Sequence, residues 1–195
     1  KIIDFIDKEI EKGAAGRIVI KANSVTDREI IDKLAQASQA GVWIDLLIRG
    51  ICCLVPGVPG RTEHITVTSI VGRFLEHSRI YAFGRGGDRK IYISSADIMT
   101  RNQTRRVEIA CPVLSEELKA WFSSYLDVLL RDNRKARRLL PEGDYVRVHG
   151  ESDEALNAQA YFMTHPMGLT RMAVPEKTLI KTLKALFTRW GKAGR

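Results

Sequence analysis

Several side chains near the middle of the chain have the types and spacing that phosphate chemistry requires. In Arg73–Gly84, "RFLEHSRIYAFG", a histidine stands between an apparent helix end and a strand start, with Arg79 two residues on. If the strand begins near His77, then His77, Arg79 and Tyr81 share one face, because alternate strand side chains point the same way. An imidazole exchanges protons near neutral pH, and beside a fixed cation it can donate to a phosphate oxygen or pass a proton. A junction histidine with no chemical role fits the same position. Arg49 closes the apolar run "VWIDLLIRG" and offers a permanently charged donor fork suited to phosphate. A strand-end arginine in water is the plainer reading. In "SSADIMTRN", Ser94, Ser95, Asp97 and Asn102 can orient a histidine or simply satisfy a turn.

The surrounding pattern predicts the elements that position these groups. Ile2, Ile3, Phe5, Ile6 and Ile10 recur at helical spacing, and "KGAAG" ends the helix. "RIVIKAN" predicts a β-branched strand stopped by Asn23. "SVTDREIIDKLAQASQAG" predicts a helix with Thr26 or Ser24 as N-cap and Gly41 as its stop. With "VWIDLLIRG" as the next strand, this is a βαβ unit with a parallel, buried pair. In such sheets ligands collect beyond the carboxyl ends of the strands, where Arg49 falls.

Beyond the "PGVPG" loop, "TSIVGRFLEHS" fits a helix of a few turns. "RIYAF", "KIYISS" and "RRVEIACPV" read as three strands, the first two a hairpin across "GRGGD". "SEELKAWFSSYLDVLLRD" is a helix opened by Ser115, and "DYVRVH" a late strand. Helices around "EALNAQAYFMTH" and "PEKTLIKTLKALFTRW" follow. The expected architecture is α/β: a mixed β-sheet flanked by helices over residues 1–150. A helical extension over residues 151–195 is expected to pack on the same domain.

Bulk properties narrow the partners without choosing one. The 195 residues carry a net charge of +8, which favours nucleotides, nucleic acid, polyphosphate or an acidic surface. No apolar run is long enough to span a bilayer, and no signal-peptide pattern opens the chain. The opening at Lys1, inside an amphipathic segment, leads us to expect a piece of a longer polypeptide. Cys52, Cys53 and Cys111 do not make a disulfide framework, and buried small side chains in a reducing cytoplasm are the expectation. There is no HExxH, no paired CxxC and no P-loop, while His64, His149 and His165 stand apart from other chemical groups. No protein-bound structural metal is expected.

Four strings, "LIRGICCLVPGVPG", "SIVGRFLEHSRIYAFG", "IYISSADIMTRN" and "RRVEIACPV", stand in an order and spacing that resemble the polyphosphate kinase family. The likeness spans roughly Arg17–Val148 and concerns the last domain of that family, which has a phospholipase D-like fold. It implies reversible transfer of the ATP γ-phosphoryl group to inorganic polyphosphate through a phosphohistidine, with Mg2+ near the transferred group. Two phospholipase D-like domains of one chain face each other in that family. The covalent histidine and the Mg2+ ligands lie in the preceding domain, so no metal ligand is assigned here.

Two site residues carry over. The resemblance implies that Arg49 contacts nucleotide phosphate, and that His77 is the second active-site histidine, binding ATP and serving as general acid or base. Arg79 and Arg101 are auxiliary cations by position only. ATP, ADP, polyphosphate and the preceding domains are the implied partners, in a cytoplasmic homo-oligomer, peripheral to the membrane at most. No specific nucleic acid is expected. The chain departs from the family at Ile98, where an aromatic is usual. It departs from phospholipase D at Arg79, in the lysine position, and at Gly84, near the aspartate position. Two alternatives stay open: a dimeric phospholipase D-like phosphodiesterase or nuclease with His77 as nucleophile, and a non-catalytic polyanion-binding module.

Overall fold

A computed structural model describes residues 1–148 and 155–165. The elements run α1 (Ile2–Ile10), β1 (Arg17–Ala22), α2 (Arg28–Gln39), β2 (Trp43–Ile48), β3 (Ile65–Ile70), β4 (Arg79–Phe83) and β5 (Lys90–Ser94). They continue with α3 (Thr100–Thr104), β6 (Ala110–Val113), α4 (Glu116–Leu130), β7 (Ala136–Leu139), β8 (Tyr145–Arg147) and α5 (Ala158–Thr164). The helix expected around 175–190 lies outside the described residues.

The eight strands form one mixed sheet in the order β6-β5-β4-β1-β2-β3-β7-β8. Its centre is the parallel trio β1, β2 and β3, and every other pairing is antiparallel. Central strands covered on both faces must be apolar on both faces, which is why β1 and β2 read as near-continuous hydrophobic runs. Ile18, Ile20, Ile44, Leu46 and Ile48 pack on one side with Ile6, Ile30 and Leu34 of α1 and α2. Val19 and Leu47 face the other side, against Leu126 and Leu129 of α4 and Ala158 of α5.

Two local expectations are corrected. The helix read across "TSIVGRFLEHS" is absent: Ile65–Ile70 forms β3, and residues 71–78 carry no regular structure. Ile70, Val71, Phe74 and Leu75 imitate helical spacing, yet Val71, Phe74 and Leu75 are exposed. The β-branched run Ile65, Thr66, Val67, Thr68 has a parallel partner in β2, and that pairing outweighs the weak helical signal. The cap of α2 is Asp27 rather than Thr26 or Ser24, its carboxylate accepting the Ile30 N–H at 3.1 Å. Thr26 and its neighbour Val25 are held extended instead. The Thr26 N–H donates to the Ile98 carbonyl at 2.7 Å, and Val25 bridges both Cys52 and Ile98. The thiols also differ from expectation, since Cys53 and Cys111 are exposed.

Asp132, 1% exposed, fastens the turn between α4 and β7 to the start of α5. One oxygen accepts the N–H groups of Arg134, Lys135 and Ala136, and the other accepts that of Ala158 at 2.7 Å. Asp132→Ala strands these buried donors, and we expect a loss of about 3 kcal/mol, because an unsatisfied buried donor costs roughly 1–3 kcal/mol. Urea unfolding of the variant measures it, and a change below about 0.5 kcal/mol, the ordinary surface-substitution range, would refute the assignment.

Candidate active site

One end of the sheet gathers Arg49, His77, Arg79 and Asp97. The carboxyl ends of β1, β2, β3 and β5 meet there with the amino end of the antiparallel β4. Ala22 pairs with Ile48, so the next residues, Asn23 and Arg49, emerge side by side. Arg49 Nε donates to Asn23 Oδ1 at 2.6 Å. Gly50 follows because the chain turns tightly against Asn23: a Cβ there would lie 2.8 Å from the Asn23 carbonyl oxygen.

Asn23 is itself held by Asp97, in the turn after β5. The Asp97 carboxylate accepts the Asn23 backbone N–H at 2.7 Å and its amide at 3.0 Å. The same carboxylate takes two bonds from Arg79, from Nη2 at 3.0 Å and from Nε at 3.3 Å. Burial works against the charged form of Asp97. The bonds from Arg79 and Asn23 outweigh it and hold the carboxyl below its usual range.

Arg79 then reaches the histidine. Its Nη1 lies 3.3 Å from both ring nitrogens of His77 and donates to the His77 carbonyl at 3.1 Å. Equal distances hold the ring beside a cation without selecting a tautomer. His77 is exposed and precedes β4, which starts at Arg79. The expected common face holds for Arg79 and Tyr81, whose hydroxyl donates to the Ala96 carbonyl at 2.8 Å, next to Asp97.

The structure therefore links Arg49, Asn23, Asp97, Arg79 and His77 in one chain of contacts. Of the "SSAD" cluster only Asp97 joins it. Ser94 bonds the Ile109 carbonyl, while Ser95 and Asn102 both bond the Glu108 carboxylate and hold it below its usual range. Arg101 is exposed on α3 and stands outside the chain. His64 packs against Trp43, at the opposite end of β2 from Arg49.

Sequence reasoning missed two members. In the sequence Asn23 reads only as a strand stop. Lys21, 3% exposed at the end of β1, is a buried cation on Glu76, with Nζ 3.2 Å from Oε2. Burial pushes the Lys21 ammonium down against the pull of Glu76, and the Arg49 and Arg79 charges add to the fall. Lysine inside a β-branched run was the available signal, since charged residues rarely occupy fully covered strands without a partner.

A divalent cation finds no home in this cluster. Among the described residues no group of three or more His, Cys, Asp or Glu side chains could hold a metal. The nearby carboxylates, Asp97 and Glu76, are taken by Arg79 and Lys21. Of the three cations gathered here, Lys21 and Arg79 are paired with carboxylates. Among the described residues, Arg49 has a neutral amide for its partner rather than a carboxylate.

The sequence matches a known family. The model of polyphosphate kinase C-terminal domain 2 covers residues 1–159. The chain belongs to that family. The polyphosphate kinase of Staphylococcus haemolyticus is 52% identical over 164 residues, covering 83% of this chain and 23% of the relative. The crystal structure of the polyphosphate kinase from Porphyromonas gingivalis superposes with a TM-score of 0.80 at 42% identity, covering 85% of this chain and 26% of that one. A phospholipase D family member, Nuc from Salmonella typhimurium, matches at a TM-score of 0.50 and 16% identity, a likeness of fold alone. The chain thus has the phospholipase D-like α/β fold and spans about a quarter of the family members it matches.

Proposed function

We propose that this domain supplies one wall of a phosphoryl-transfer site in a longer polyphosphate kinase, which moves the ATP γ-phosphoryl group reversibly onto inorganic polyphosphate. The observation that carries the reading is the contact chain from Arg49 to His77, which presents at one sheet end an exposed imidazole and a guanidinium without a carboxylate partner among the described residues. Phosphoryl transfer asks mainly for positioning and for cations at the phosphate oxygens. In this reading Arg49 grips nucleotide phosphate through its remaining donors, and His77 donates to, or exchanges a proton with, the phosphate group beside it.

The covalent phosphohistidine and any Mg2+ site belong, in this reading, to the preceding domain. The domain over 1–150 with its extension over 151–195, homo-oligomeric assembly and a cytoplasmic location, peripheral to the membrane at most, are parts of the same proposal. Among the described residues no helix is long and apolar enough to cross a membrane. Against a phosphodiesterase stands Arg79: the cation two residues after His77 is pinned to Asp97 rather than offered to substrate.

Arg49→Lys in the full-length kinase tests the reading. A lysine is a point charge that cannot bond Asn23 and bridge a phosphate with the same fork. The expected result is a rise in KM for ATP with a loss of kcat/KM of about 10-fold or more, the value of one strong charge-assisted contact. Wild-type constants for both Arg49→Lys and Arg49→Ala would sink the assignment.

A further inference from the structure

His77 rides on the irregular segment 71–78, and burial does not hold that segment: Val71, Phe74 and Leu75 are 67%, 47% and 70% exposed. What holds it is the carboxamide of Gln159, a residue of α5 that is itself 7% exposed. Gln159 Oε1 accepts the Phe74 N–H at 3.0 Å. Gln159 Nε2 donates to the Phe74 carbonyl at 2.8 Å and to Glu76 Oε1 at 2.8 Å. Both donors of the amide are then committed, so only the glutamine orientation satisfies all three partners.

The tether continues past the histidine. The other Glu76 oxygen takes Lys21 Nζ at 3.2 Å, and Lys21 also donates to the Ser78 carbonyl at 3.3 Å. His77 is thus bracketed by two anchored residues, Glu76 and Ser78, while its own ring contacts Arg79. Gly72 lets the backbone close on the amide, since a Cβ there would lie 2.4 Å from Gln159 Oε1. The start of α5 is fixed in turn by the Asp132 bond to Ala158 and by Asn133, which accepts the Leu156 N–H at 2.8 Å.

We propose that Gln159 is a positioning residue for His77, setting the place of the imidazole through Phe74 and Glu76 without touching substrate. The proposal rests on the reading of His77 as a reacting group. It assigns α5, more than eighty residues away in sequence, a part in the chemistry at the sheet end.

The test is Gln159→Met in the full-length kinase, a change that keeps side-chain length and apolar packing but removes the three bonds. Hydrogen exchange should quicken across residues 71–78 and leave β1 and β2 unchanged. Turnover should fall about 10- to 100-fold, the scale expected when a reacting group is misplaced by about an ångström, with KM for ATP within about twofold. Added to His77→Ala, the substitution should cause no further loss, since both act through one group. If kcat stays at wild type while the segment loosens, or if the two losses multiply, Gln159 is only structural. Should Gln159→Met fail to accumulate, Gln159→Glu keeps the shape and the acceptor for the Phe74 N–H but sets a carboxylate against the Phe74 carbonyl and Glu76, and the same loss is expected. Failure of the underlying reading looks different: His77→Ala would itself run at wild-type rate, whatever stands at position 159.

Discussion

His77→Ala in the full-length kinase should lower turnover by about 10²–10⁴-fold, the range that a positioned acid or base contributes, while leaving stability nearly untouched. The two halves of that expectation come from separate observations. The ring is exposed and its described contacts run to one guanidinium, so its removal opens no cavity and strands no buried group. Exposed substitutions of this kind change stability by about 0.5 kcal/mol or less. The expected catalytic loss follows from the proposed role, because an imidazole can both give and take a proton and this one lies beside Arg79.

His77→Gln sharpens the result. Its amide can still donate to a phosphate oxygen but cannot transfer a proton. Recovery to within about 10-fold of wild type would assign His77 to binding, and a rate as low as that of alanine would assign it to proton transfer. Wild-type turnover in His77→Ala, measured as ATP-dependent polyphosphate synthesis, would remove the histidine from the site altogether.

Local signals carried six of the eight strands and the first two helices, and failed at β3 and β7, where tertiary pairing decides. The β-branched runs of β1 and β2 and the helix between them were legible because their periodicity and their buried faces agree. The segment "TSIVGRFLEHS" misled because its apolar spacing suits a helix, whereas Ile65–Ile70 has β2 waiting beside it. At the site, position raises Arg49 and His77 only as candidates, and family resemblance is what singles them out. Asp97 was visible only as turn chemistry. Its partners Arg79 and Asn23 lie 18 and 74 residues away, and no local pattern encodes such distances. Gln159 was beyond reach for the same reason. A single buried amide carries no periodicity, and its meaning comes from the loop folded against it.

Asp97→Asn should be the substitution that damages stability and activity together. The carboxylate holds the Arg79 guanidinium and both nitrogens of Asn23, and Arg49 leans on Asn23 in turn. Asparagine keeps one acceptor but sets an amide donor against donors from Arg79 or Asn23, leaving a partly buried cation without its counter-charge. Breaking one side of such a pair costs about 3 kcal/mol. The pH dependence has a definite sign. The folded pKa of Asp97 is depressed, so its contribution is complete above the unfolded carboxyl value of about 3.9 and is lost as pH falls through the lower folded value. Wild type should therefore exceed Asp97→Asn by a constant margin at neutral pH, and the margin should shrink only in acid. Urea unfolding of both proteins across that range reads it directly. A gap that stays flat into acid would mean that the margin comes from shape and not from charge. Turnover adds the second arm: because Asn23 aims Arg49 and Arg79 steadies His77, Asp97→Asn should lower kcat even in protein that remains fully folded.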